Sequence, residues 1–100
     1  MQIKLSQIAK ISLRDQIEFL EKTWSSREIV IFLEDIRKVS GDLKQGKFRQ
    51  FQKYSSDIRS ALIGKKHVRM FFRKENEKQI RILLFFDVRQ DPQKIIDLLK

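Results

Sequence analysis

Arginine dominates the chemistry open to this chain. Arg59, Arg69, Arg73, Arg81 and Arg89 all stand at odd-numbered positions in its second half. Successive side chains of an extended segment point to opposite faces, so such spacing can gather guanidinium groups on one surface. Guanidinium groups gathered in this way bind carboxylates or phosphates, often through paired hydrogen bonds. The only carboxylate expected among them is Asp87, at one end. His67 is the single histidine and could carry a proton near neutral pH, although beside Lys65 and Lys66 it reads first as a surface residue. No histidines or carboxylates pair at metal-ligand spacing, there is no cysteine, and no glycine-rich loop opens a helix. Neither a metal nor a cofactor is expected.

The arginines need a sheet to position them. From position 58 the pattern takes a period of two: Ile58, Ser60 and Leu62, then Val68, Met70 and Phe72, then Ile80, Ile82, Leu84 and Phe86 form the inward rows of three antiparallel strands. Gly64 and Asn76 mark the turns. A three-residue turn centred on Asn76 pairs Phe72 with Ile80 and Phe71 with Arg81; a matching turn at Gly64 to Lys66 pairs Leu62 with Val68 and Arg59 with Phe71. The outer face then presents Arg59, Phe71 and Arg81 in one row, flanked by Arg69, Arg73 and Arg89. Like charges this close repel, so the row calls for an anionic occupant. Phe71, Leu83 and Phe85 between them would make an exposed apolar patch of the kind that marks an interface. Arg59, Phe71, Arg73, Leu83 and Phe85 are therefore the partner-binding candidates.

The remaining elements cover the inward rows. Gln2 to Leu5 alternates as a short edge strand. Ser6 is placed to cap a first helix whose apolar face is Ala9, Leu13, Ile17, Leu20 and Trp24, widened by Ile8, Ile11 and Phe19. Ser25 and Glu28 form a capping box for a second helix carrying Ile29, Phe32, Leu33, Ile36, Val39 and Leu43, with Gly46 to end it. Residues 47–57 read as a connection, and Asp91-Pro92 opens a last short helix with Ile95, Ile96, Leu98 and Leu99. The expected fold is α+β, in the order β-α-α-β-β-β-α, with a helical hairpin packed on a small antiparallel sheet in one domain spanning residues 1–100.

The formal charge of +9 is unevenly spread. Residues 1–43 carry seven basic and seven acidic side chains; residues 44–100 carry fifteen and six. The basic half calls for an acidic partner. No apolar run approaches the roughly 20 residues of a membrane-spanning helix, and the absence of cysteine suits a reducing cytoplasm.

Several motifs in combination resemble the RelE/ParE superfamily of bacterial toxins. They are Trp24-Ser25, Lys66-His67 and, most specific, the closing block Phe86-Asp87-Val88-Arg89-Gln90-Asp91-Pro92. The resemblance spans nearly the whole chain and implies the toxin of a type II toxin-antitoxin module. Such a toxin is held inactive in a hetero-oligomer by a cognate antitoxin with an acidic and apolar segment, covering either the arginine face or the helical hairpin. It also implies one of two targets: DNA gyrase, poisoned without catalysis, or the ribosome, where mRNA is cut. By position Arg69 and Arg89 match the nuclease branch's phosphate-binding arginines, and an endoribonuclease of this kind would use Arg69, Arg81 and Arg89 with His67 as proton carrier. That branch's strand lysines are replaced by Ser60 and Leu62, and Ile95 stands near the place of its terminal tyrosine. The gyrase-type reading is therefore preferred over the endoribonuclease, with a catalytically inactive nucleic-acid-binding relative as the third possibility.

Overall fold

The change of period near position 58 is realised as a helical first half laid on a sheet. The computed structural model describes residues 1–23, 25–64 and 67–99. Trp24, assigned above to the first helical face, and Lys65 and Lys66 of the first turn lie outside the described residues. The elements are β1 (Gln2–Leu5), α1 (Gln7–Thr23), α2 (Ser26–Lys44), a 3₁₀ turn (Phe48–Gln50), β2 (Gln52–Lys53), β3 (Ile58–Ile63), β4 (Val68–Asn76), β5 (Gln79–Asp87) and α3 (Gln93–Leu98). The strands lie in the order β1-β5-β4-β3-β2. β1 runs parallel to β5 and the other pairs are antiparallel. The expected α+β fold is present, but its sheet is mixed, because the helices between β1 and the meander return the chain to the same end. Residues 47–57, read as a plain connection, hold both the 3₁₀ turn and β2.

The caps follow the sequence closely. Ser6 Oγ accepts from the Ala9 N–H at 3.0 Å, and Ser25 Oγ accepts from the Glu28 N–H at 3.4 Å; of the expected capping box only this half forms among the described residues. At the end of α2, Gly46 takes φ +83°, which lets its N–H reach the Leu43 carbonyl and the Lys47 N–H reach the Asp42 carbonyl. Those two bonds are the Schellman pattern and satisfy carbonyls that a helix end otherwise leaves open. Asp91 Oδ1 accepts from the Gln93 N–H at 3.0 Å to open α3.

The helical hairpin covers one face of the sheet and α3 part of the other. The helical hairpin buries Ala9, Leu20, Phe32, Val39 and Leu43 against Ala61, Ile63, Met70, Phe72, Ile82 and Phe85. On the other face α3 sets Ile95 and Leu99 with Ile58, Phe71, Leu84 and Phe86. Leu33, expected in the α2 core face, is exposed instead.

The register differs from the expected one in both hairpins. Asn76 pairs with Gln79, leaving a two-residue loop in which Asn76 Oδ1 accepts from the Lys78 N–H at 2.8 Å. A first irregularity at Glu75 sets Lys74 opposite Ile80, so that Arg73 faces Arg81 and Phe72 faces Ile82. A bulge beside Leu83 then inserts one residue, so that Phe71 faces Leu84 and Met70 faces Phe85. One extra residue reverses every later side chain: Leu84 and Phe86 turn to the α3 face and Phe85 turns to the helical core. In β3, Ile63 rather than Leu62 pairs with Val68, and Arg59 pairs with Phe72. That one-residue slip puts Arg59, Ala61 and Ile63 on the hairpin side and Ile58, Ser60 and Leu62 on the other.

Candidate functional site

The expected row of Arg59, Phe71 and Arg81 does not form. Arg59 lies on the hairpin side, where its Nη1 donates to the Arg49 carbonyl at 3.1 Å and the Phe51 carbonyl at 2.9 Å. Its guanidinium carbon stands 5.4 Å from the centre of the Phe48 ring. Phe71 is on the outer face but only 2 % exposed, covered by α3 and by Tyr54, whose ring meets it edge-on at 5.2 Å. Phe85, also 2 % exposed, belongs to the helical core, and Leu83 at the bulge is half-buried. The exposed apolar patch expected from Phe71, Leu83 and Phe85 is thus absent, since the bulge sends Phe85 inward and α3 covers Phe71.

Three arginines do occupy the outer face. Arg73 and Arg81 stand directly opposite each other, and Glu75 lies between them, its carboxylate 2.6 Å from Arg81 Nε and 3.6 Å from Arg73 Nε. Asp87 is therefore not the only carboxylate among the arginines. Glu75 was within reach of sequence reasoning, because it follows Arg73 by two residues on the same strand. Arg69 is tied to Ser60 Oγ (3.1 Å) and to Gln52 Oε1 (2.9 Å), and its partial burial lowers its pKa from the ordinary arginine value. It makes no ion pair among the described residues.

Arg89 donates from Nε to Asp87 Oδ1 at 3.0 Å and from Nη2 to Oδ2 at 2.7 Å. This pairing, ahead of the smaller opposing effect of burial, holds the Asp87 carboxyl below its ordinary range and the Arg89 guanidinium above its own. His67 is exposed in the turn before β4, with its carbonyl accepting from the Val88 N–H. The four residues proposed for nuclease work do not converge. His67, Arg69 and Arg89 belong to the end of the sheet where β4 begins, whereas Arg81 is six residues along β5 from Asp87, about 20 Å of extended chain.

A groove of about 330 Å³ lies where α1, the second half of β5 and α3 meet. β1 ends at Leu5, so it cannot pair with β5 beyond Ile82. Two serines of α1 take its place: Ser6 Oγ donates to the Leu83 carbonyl at 3.2 Å, and Ser12 Oγ accepts from the Phe85 N–H at 3.0 Å. Beside them Ile8, Ile11 and Leu98 line the groove while 41 %, 40 % and 38 % exposed. Ile8 and Ile11 were legible as residues widening the α1 face; the groove itself was not, because it joins α1 to segments far away in sequence, from Leu84 onward. Among the described residues no helix is long and apolar enough to cross a membrane, and no cluster of potential ligands suits a metal.

The fold is similar to that of a solved chain described as "Chromosomal ParDE TA system from P. aeruginosa", with a TM-score of 0.69 and 18 % identity over 88 % of this chain and 96 % of that one. No protein-family model and no curated protein matches the sequence. At this identity the likeness is one of fold, and the RelE/ParE-like architecture expected from the motifs is the one observed.

Proposed function

We propose that this chain is the toxin of a two-component toxin-antitoxin module, held silent by a cognate antitoxin and acting on a protein target such as DNA gyrase. The observation that carries the reading is the ParE-like arrangement of hairpin and sheet, shared with a chain of a ParDE system along nearly that chain's whole length. The choice of a protein target rests on the arginines. Arg81 and Arg89 are each paired with a carboxylate, and Arg81 is far along the strand from His67. Among the described residues Arg81 therefore stands apart from His67, Arg69 and Arg89, so the four groups that phosphate cleavage would call on do not face one substrate position.

The antitoxin's apolar side chains fill the groove over Ile8, Ile11 and Leu98, while its acidic residues meet the basic outer face around Arg69 and Arg73. Phe71 and Phe85 contribute to the cores beneath, not to contact.

Induction without the antitoxin is expected to arrest growth, with purified protein blocking supercoiling by gyrase and trapping cleaved DNA. Primer extension that finds cuts in translated mRNA, with supercoiling untouched, would establish the endoribonuclease reading instead. Absence of growth arrest would exclude both. Replacement of Ile11 by Asp should weaken antitoxin binding by at least about tenfold, since a buried unpaired carboxylate costs well over ~1.4 kcal/mol.

A further inference from the structure

At the diagonally opposite corner of the molecule is a second concavity, about 480 Å³, between the end of α2 and the far ends of β2, β3 and β4. Lys47, Arg49, Lys53, Arg59 and Lys74 line it, and among the described residues no carboxylate does. Strand register explains the convergence. Lys53 faces Arg59 across β2 and β3, Arg59 faces Phe72 across β3 and β4, and Lys74 follows Phe72 by two residues. All three cations therefore point to the hairpin side, past the place where α2 stops. The glycine-terminated end of α2 then brings Lys47 and Arg49 over the same corner.

Arg59 is fixed in advance. Two backbone carbonyls hold its Nη1 and the Phe48 ring lies under its guanidinium, while its remaining N–H groups make no hydrogen bond among the described residues. Only Lys74 has an acidic neighbour, the fully exposed Glu77 at 3.3 Å; the other four cations make no ion pair among the described residues.

We infer that this corner is a binding site for the sugar-phosphate backbone of a nucleic acid. Phosphate is favoured over an acidic protein segment by the lining itself. Protein interfaces draw affinity from buried apolar anchors, and among the described residues Phe48 is the sole apolar side chain here, its ring already taken by Arg59. A phosphodiester chain needs no such anchor, because neutralising successive phosphates releases counterions and supplies the affinity. The apolar groove and the basic corner thus suit different classes of partner.

The test uses the purified chain without antitoxin, so its outcome is independent of the toxin reading. Fluorescence anisotropy measures binding of a labelled single-stranded oligonucleotide and of its duplex across a salt series. Replacing Lys47, Lys53 and Lys74 together by Gln is expected to weaken binding and to flatten the slope of log K against log salt by about 2. A charge-matched control replaces Lys10, Lys22 and Lys38 of the helices by Gln and is expected to leave that slope within about 0.5 of the parent value. Equal losses in both variants would reduce the effect to diffuse net charge and overturn the site. No loss in either would overturn it as well. Polyglutamate bound through the same lysines as tightly as the oligonucleotide at equal salt would replace the nucleic acid with an acidic protein partner.

Discussion

The Asp87 carboxylate receives two hydrogen bonds from the Arg89 guanidinium and one from the Arg89 backbone N–H. Its folded pKa is therefore depressed, and the sign of the pH dependence follows. The pair contributes stability above the ordinary carboxylate value of 3.8 and loses it as the pH falls through the lower folded value. Carboxyl-carbon NMR should find Asp87 titrating below its ordinary range, and Arg89→Gln should move that titration upward; an unmoved midpoint would mean the pair does not form in solution. Arg59 offers a second test. Substitution by Met keeps an apolar stem over Phe48 but leaves the Arg49 and Phe51 carbonyls without their donor, so urea unfolding should register a loss of about 1–2 kcal/mol. Arg49→Gln, at an exposed position, should change stability by less than about 0.5 kcal/mol.

Two serines and one short helix organise the elements around β5. Ser12→Ala removes the acceptor of the Phe85 N–H without changing helix propensity unfavourably, and should cost about 1–3 kcal/mol. Hydrogen exchange at Phe85 is the direct readout, since a structurally silent serine would leave that amide protected. α3 can be tested through Ile95, which is buried against Phe71, Leu84 and Phe86. Truncation to Ala should destabilise by about 2–4 kcal/mol, the usual result for removing a buried isoleucine. Tyr54 fluorescence should change with it, because the Tyr54 ring rests on Phe71 at the edge of the same cluster.

Across the whole molecule, the apolar groove and the basic corner lie at opposite ends of the strands, and this separation makes the two proposed interactions independent. Ile11→Asp should weaken antitoxin binding and leave oligonucleotide binding unchanged, whereas the triple lysine variant should do the reverse. Residues more than about 10 Å apart without shared partners usually contribute additively, so combining the substitutions should reproduce both losses unchanged.

Much of this arrangement is local and could be read from residue order. Helix periodicity placed Ala9, Leu20, Phe32, Val39 and Leu43 in the core, and the caps at Ser6, Ser25 and Gly46 were visible because capping depends on residues three or four apart. Charge asymmetry between the halves required no structure at all. The arginine surface was different, for its composition depends on register. A two-residue loop after Asn76, a pairing of Ile63 with Val68 and two register shifts in the β4–β5 pair, at Glu75 and at Leu83, decided which side each residue took. The continuous run Leu83-Leu84-Phe85-Phe86 carried a warning, since strands buried on both faces lose their alternation. Arg59 and Lys74 share a corner for the same reason that Phe85 leaves the surface: a single inserted or displaced residue reverses a strand, and only long-range pairing selects which reversal occurs.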